Sequence, residues 1–213
     1  MVVLFEGIDT CGKSTQIELI SQKDNLILQN LLRETSENIL PEPYDSSDII
    51  ITKEPGGTNF GKQARKILLT DTLHSQRAEL LLFLADRAEH YTRIIKPNKD
   101  KVILSDRGFL SGIGYALANG DFDFETLLAL NRFALQDDLP EKIILFLTDL
   151  DTLQKRTATK PLDGIELRGL TYLMEVQHHM QESLKKLDID HLLVDAREPI
   201  EEIHQKIVSY LEL

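Results

Sequence analysis

Residues 7–14 read Gly7-Ile8-Asp9-Thr10-Cys11-Gly12-Lys13-Ser14, with Val2-Val3-Leu4-Phe5-Glu6 before them and Thr15-Gln16-Ile17-Glu18-Leu19-Ile20 after. The leading run is short and apolar, as a buried strand requires, and the trailing run carries Ile17 and Ile20 on one helical face. Gly7 and Gly12 free the backbone to curl so that successive N–H groups turn toward one point. The start of the helix adds about half a positive charge there. Lys13 supplies a point charge and Ser14 a hydroxyl. The arrangement suits a nucleoside triphosphate: backbone and Lys13 hold the phosphates, and Ser14 is a ligand for Mg²⁺.

The stretch is a complete G-x-x-x-x-G-K-S, which arises by chance in roughly one in a hundred chains of this length. Outward from it, short aliphatic runs alternate with longer helical patterns. Strands are predicted at 2–6, 48–52, 102–105, 142–148 and 191–194. Helices are predicted near 13–22, 61–70, 75–96, 124–136, 169–187 and 199–211. The strands read apolar on both faces, so helices should cover both sides of a parallel sheet. The expected fold is the three-layer α/β P-loop fold, a five-stranded parallel sheet in one domain spanning 1–213. Two stretches break the rhythm: a long connection over 23–47, and a polar stretch over 149–168 that reads as a mobile lid.

Composition narrows the partners. The 213 residues carry 35 acidic against 24 basic side chains, a net charge of −11, so a role in coating DNA or RNA is excluded by repulsion. No apolar run approaches the ~20 residues of a membrane span, and the N-terminus lacks the basic leader of a signal peptide. The single cysteine, Cys11, excludes an internal disulfide and fits a reducing cytoplasm. The six histidines show no ligand spacing; His178 and His179, being adjacent, would point about 100° apart on a helix.

A P-loop fixes the fold better than the function. A GTPase needs N-K-x-D after a strand, whereas Asn98-Lys99-Asp100 has the wrong spacing and precedes one. Six segments, in order, resemble the thymidylate kinase family. Phe5 to Asp9 with Gly12 to Gln16 is similar to its opening, and Thr52-Lys53-Glu54-Pro55-Gly56-Gly57-Thr58 to its T-R-E-P-G-G-T. Phe83-Leu84-Ala85-Asp86-Arg87-Ala88-Glu89-His90 resembles its F-x-x-D-R-x-x-H, and Asp106-Arg107 with Ser111 and Tyr115 its D-R-x-x-x-S-x-x-x-Y. Leu162-Asp163-Gly164-Ile165-Glu166 is similar to its lid end, and Val194-Asp195-Ala196 to its adenine-side turn.

The resemblance implies ATP-dependent phosphorylation of dTMP to dTDP, on the way to dTTP, in a cytoplasmic homodimer that uses Mg²⁺. ATP would contact Gly7, Ile8, Asp9, Thr10, Cys11, Gly12, Lys13, Ser14, Thr15, Arg156 and Ala196. The resemblance gives dTMP to Glu54, Arg65, Phe83, Arg87, Arg107, Ser111 and Tyr115. Phe83 would stack on thymine, Arg87 would donate to its O4, Glu54 would lie near the 3′-hydroxyl, and Tyr115 near the 2′ position. Read from the residues alone, Phe83 is core and Arg65 is surface. Arg107, directly after a buried strand, can grip the acceptor phosphate bidentately; a structural pair with Asp106 is its other reading. Asp106 and Asp9 are candidates to orient Mg²⁺-bound water, beside Ser14.

Thymidylate kinases carry their catalytic arginine either in the P-loop or in the lid. Thr10 fills the P-loop position, so the lid must supply the cation, from Arg156, Lys160 or Arg168; Arg156 could instead stack on adenine. Gly112 and Ala116 stand where polar residues are expected, which leaves room for broader base choice, dUMP beside dTMP. A non-catalytic nucleotide-binding regulator is the reading from another class.

Overall fold

The computed structural model describes residues 1–23, 49–70, 73–158 and 169–212. Most of the 23–47 connection and the lid residues Lys160, Leu162 to Glu166 and Arg168 lie outside them. Five strands, β1 (Val2–Glu6), β2 (Ile49–Lys53), β3 (Val102–Asp106), β4 (Lys142–Leu147) and β5 (Asp190–Asp195), form one sheet in the order β2-β3-β1-β4-β5, every pairing parallel. The helices are α1 (Lys13–Lys23), α2 (Asn59–Thr70), α3 (Gln76–His90), α4 (Phe109–Ala118), α5 (Phe124–Ala134), α6 (Leu150–Thr157), α7 (Leu170–Leu184) and α8 (Ile200–Leu211).

Alternation along each strand divides the core into two layers. Leu4, Ile50, Ile103, Ile143 and Leu145 pack with Leu84 of α3, Ile113 of α4, Leu127 of α5 and Val176 of α7. Val3, Phe5, Ile51, Leu104, Ile144 and Phe146 pack on the other side with Ile17 and Ile20 of α1 and Ile203 and Ile207 of α8. Both faces of β1 to β4 are therefore dry, while the edge strand β5 leaves Leu193 exposed, and each fully buried aliphatic side chain contributes roughly 1.5–3 kcal/mol.

Register sets the height of the site. Phe5 and Lys53 both stand level with Asp106, so Glu6, Glu54 and Arg107 share the next layer at the carboxyl rim. The ladder runs one residue further, with Glu54 N donating to Asp106 O at 3.1 Å and Arg107 N to Phe5 O at 2.9 Å. Because β1 leads toward β2 and β4 leads toward β5, a crevice opens beyond the end of β1.

Three helices depart from the sequence reading. α4 was not expected, because Gly112 and Gly114 each cost about 1 kcal/mol relative to Ala in a helix. The buried carboxylate of Glu6 accepts Leu110 N and Ser111 N at 3.1 and 3.2 Å, capping the first turn from β1. Gly114 lets α7 come close, since a Cβ there would meet Met180 Cγ at 2.6 Å. α6 occupies the first half of the stretch read as lid. Asp149 caps it, accepting Thr152 N at 2.8 Å, and Leu153 is buried. The long helix expected over 75–96 stops at His90, continues as a π-turn over Tyr91–Ile95, and ends with a 3₁₀ turn at Pro97.

Candidate active site

The phosphate loop joins β1 to α1. Gly7 has φ 140° and Gly12 φ 101°, and a Cβ on Gly7 would lie 2.8 Å from Phe146 O and 2.9 Å from Cys11 Sγ. Only glycine fits at position 7, and Cys11 is a small buried filler beside it. Lys13 is 5% exposed and reaches back over the loop, its Nζ donating to Ile8 O at 2.8 Å and Gly7 O at 3.1 Å. Ser14 Oγ donates to Asp106 Oδ2 at 2.6 Å, which ties α1 to the end of β3.

Arg107 leaves β3 with φ 72°, an uncommon left-handed conformation for a non-glycine residue. Its Nη1 donates to Gly7 O at 2.7 Å and Ser111 Oγ at 3.0 Å, and its Nη2 to Asp9 Oδ1 at 2.7 Å. The pair is therefore with Asp9, and Asp106 is engaged by Ser14. Burial disfavours the guanidinium charge, but the carboxylate of Asp9, then Tyr115 and Asp106, outweigh it and hold the pKa well above the ordinary arginine value. Ser111 Oγ also bonds the Glu6 carboxylate. Burial pushes that carboxyl above its usual range, while Ser111, Arg107, Arg87 and Lys13 pull it down. Sequence reading gave Glu6 no role; its one local signal is a charge closing an otherwise apolar strand.

A cavity beside this arginine is lined by Glu54, Pro55, Arg65, Phe83, Arg87, Arg107, Ser111, Gly112, Tyr115 and Ala116. All seven residues expected to hold dTMP are thus together, on α2, α3 and α4 and on the turns after β2 and β3. Phe83 is half-buried on the wall and not in the core. Arg65 Nη1 donates to Pro55 O at 3.2 Å, which turns a helix-surface arginine inward. Arg87 is buried: Nε donates to Glu54 Oε2 at 2.8 Å, Nη1 to Asn131 Oδ1 at 2.6 Å and Nη2 to Gly108 O at 3.1 Å. His90 Nδ1 lies 2.8 Å from Glu54 Oε1, and its Nε2 lies 2.6 Å from Thr52 Oγ1. Burial raises the Glu54 pKa, but Arg87 and His90 overcome it and bring it to about 2. Asp86 goes the other way, lifted to about 6 by burial and by Glu54.

A second cavity, lined by Asp9, Gly12, Lys13, Ser14, Asp106 and Arg107 among others, joins the first at Asp9, Glu54, Arg65 and Arg107. A third cleft continues past the loop, lined by Thr10, Cys11, Thr15, Phe146, Arg156 and Ala196. Arg156 spans it, donating from Nη1 to Thr10 O at 3.1 Å and from Nη2 to Ala196 O at 2.6 Å. Among the described residues no cluster of three or more His, Cys, Asp or Glu could hold a metal. A hydroxyl and a carboxylate 2.6 Å apart in the phosphate cavity nevertheless suit Mg²⁺, which prefers oxygen ligands and keeps several waters when phosphates complete its shell.

The thymidylate kinase family model matches residues 5–207, nearly the whole chain. The chain belongs to the thymidylate kinase family. It is 60% identical to the thymidylate kinase of Sulfurovum sp. (strain NBC37-1) over 213 residues, covering all of both chains. It is 45% identical to the thymidylate kinase of Campylobacter curvus (strain 525.92) over 215 residues, again covering both completely. In structure it is similar to thymidylate kinase from Ehrlichia chaffeensis, with a TM-score of 0.72, 24% identity, and coverage of 100% and 98% of the two chains, a likeness that bears on the fold. As a member of this family the chain is an ATP-dependent phosphotransferase. No described helix is long and apolar enough to cross a membrane.

Proposed function

We propose that the chain transfers the γ-phosphoryl group of ATP to dTMP at the junction of the two cavities, giving dTDP and ADP. The observation that carries this reading is Arg107: one guanidinium borders both cavities and is bonded to Asp9 and Gly7 of the phosphate loop. The acceptor phosphate is already ionised at neutral pH, so no strong general base is needed. A phosphate oxygen of dTMP attacks Pγ, and the bond from Pγ to the β-phosphate oxygen breaks. The obstacle is repulsion between two polyanions, so catalysis consists of positioning and of cations around the moving group.

Each residue then has a task. Gly7 to Thr15 wrap the donor phosphates, with Lys13 turning from the loop carbonyls onto them. Ala196 and Arg156 flank adenine, and the span of Arg156 across the third cleft supports that role over a catalytic one. Lys160 then remains as the lid cation, with Arg168 as the other basic residue there, on sequence grounds. Ser14 and Asp106, with Asp9 nearby, would hold Mg²⁺, which when bound neutralises charge on the donor phosphates. Arg107 and Arg65 take the acceptor phosphate. Phe83 stacks on thymine, Arg87 faces its O4, Glu54 supports the sugar side, Tyr115 closes the 2′ position, and Ser111 holds Arg107.

A coupled assay with ATP-Mg²⁺ and a panel of monophosphates tests the reading. Turnover should be greatest with dTMP, lower with dUMP, and absent with dGMP and AMP; faster turnover of AMP than of dTMP would refute it. We further propose a cytoplasmic homodimer paired through α2 and α3. Phe60, Ile67 and Leu81 on those helices are exposed, while Leu80 and Leu84 face the core. Sedimentation at micromolar concentration should give about twice 24.3 kDa, and a clean species at 24.3 kDa would reject pairing.

A further inference from the structure

Arg87 is anchored from three separate elements, and only one anchor lies outside the segments the sequence singles out. Glu54, on the turn after β2, balances its charge through Nε, and Gly108, on the turn after β3, accepts from Nη2. The third anchor is Asn131, in the third turn of α5, 1% exposed and 44 residues from Arg87. Its Nδ2 donates to Leu127 O at 2.8 Å. That bond fixes which way the amide faces, because a carbonyl can meet only the NH₂ end. The oxygen must then point at Arg87, and it does, at 2.6 Å from Nη1.

A guanidinium has five N–H donors, and these three bonds use one on each nitrogen. Two remain, one on each terminal nitrogen. Both terminal nitrogens press on Gly112, where a Cβ would lie 3.3 and 3.4 Å from them. Gly112 thus leaves the space that the guanidinium fills on the cavity wall. The planar guanidinium moves as one rigid unit, so with Nε on Glu54 and Nη2 on Gly108 the bond from Nη1 to Asn131 fixes its third corner.

We infer that Asn131 is a positioning residue for base selection: it holds Arg87 so that its two remaining donors face the acceptor's base edge. This rests on the proposed place of Arg87 in the dTMP site. A correctly aimed donor pair favours a base with a carbonyl at position 4 over one with an amino group there, since a donor facing a donor is left unpaired. Asn131 touches no substrate itself and lies outside the lining of the phosphate cavity, so ATP binding should not depend on it.

The test uses the full-length enzyme with dTMP and dCMP as acceptors. Asn131→Leu, similar in volume but without the oxygen, should raise KM for dTMP about tenfold and lower the ratio of kcat/KM for dTMP over dCMP by a similar factor. KM for ATP and kcat should stay within about twofold. Asn131→Asp, which keeps an oxygen for Arg87, should restore most of the loss. Should the leucine variant not fold, Asn131→Ser, whose hydroxyl can still bond Leu127 O but is too short for Arg87, should show the same KM rise. Arg87→Lys separates the two ideas. If it loses base preference and a folded Asn131→Leu or Asn131→Ser does not, the role of Asn131 is refuted. If Arg87→Lys itself leaves KM and base preference unchanged, the placement of Arg87 at the base is what fails.

Discussion

Arg107→Ala is expected to lower turnover of dTMP by about 10²–10³-fold while ATP still binds, because one aimed donor at the reacting group is typically worth that much. The guanidinium borders both cavities and is the group about which the two nucleotides would meet. Its loss removes charge from between two polyanions and takes the counter-charge from the Asp9 carboxylate that faces them, so both changes act against transfer. The donor site keeps Lys13, Gly12 and the α1 terminus, and Gly7, which loses the Arg107 bond to its carbonyl, keeps the bond from Lys13 there. Binding of ATP, read by calorimetry or by fluorescence of a labelled analogue, should therefore persist. Arg107→Gly sharpens the test. With φ at 72° glycine relieves backbone strain, so this variant should be at least as stable as Arg107→Ala and just as inactive. A loss of activity that followed stability across the two variants would point to folding and not chemistry. Retained turnover with dTMP in a folded variant would remove Arg107 from the reaction.

What the sequence could convey about this site divides along the range of the interactions. The phosphate loop is local: Gly7, Gly12, Lys13 and Ser14 lie within eight residues, and their spacing alone carries the chemistry. The strands were legible to within one residue because the runs of β1 to β4 are largely apolar and buried, and β5 keeps an aliphatic centre at Leu192 to Val194. α4 was not, since what forms it is a carboxylate on β1, 104 residues before Leu110, and a close approach to α7. Local propensity, with two glycines in six residues, points the other way. α6 was hidden by its polarity: only Leu153 and Thr157 are buried within it, and the Asp149 cap is a signal easily read as loop. The pairings show the same division. Phe83 and Arg87 on one helix face follow from a spacing of four, but the bonds from Arg87 to Glu54, Gly108 and Asn131 are tertiary. Sheet register sets Phe5 beside Asp106, and at that end Arg107 reaches Asp9 while Ser14 bonds Asp106, an exchange no spacing rule could specify.

Glu54→Ala should be the most damaging single change to stability, by about 3–5 kcal/mol, because it strands a buried guanidinium. Arg87 is 3% exposed and Glu54 7%, and the other partners of the guanidinium, Asn131 and Gly108 O, are neutral. His90, wholly buried, loses its carboxylate partner at the same time. Glu54→Gln should be milder at the His90 side yet still leave the arginine charge unbalanced. The acid dependence carries a separate signature. The Glu54 pKa, about 2 in the folded chain against an ordinary 4.5, means that its stabilisation is complete above pH 4.5 and is lost as pH falls through 2. Asp86, raised to about 6 from 3.8, works in the opposite sense: its ionisation costs stability above pH 6, and protonation relieves that cost as pH falls toward 3.8. Stability of the native chain should therefore hold or rise slightly from pH 7 to 5 and fall steeply below 4.5. Thermal denaturation of wild type, Glu54→Gln and Asp86→Asn across this range checks both signs. The glutamine variant should lose much of the steep acid limb, and the asparagine variant should lose the rise. An acid limb of unchanged depth in a folded Glu54→Gln would mean that other carboxylates set it, and that Glu54 is not the counter-charge on which Arg87, and with it the acceptor wall, depends.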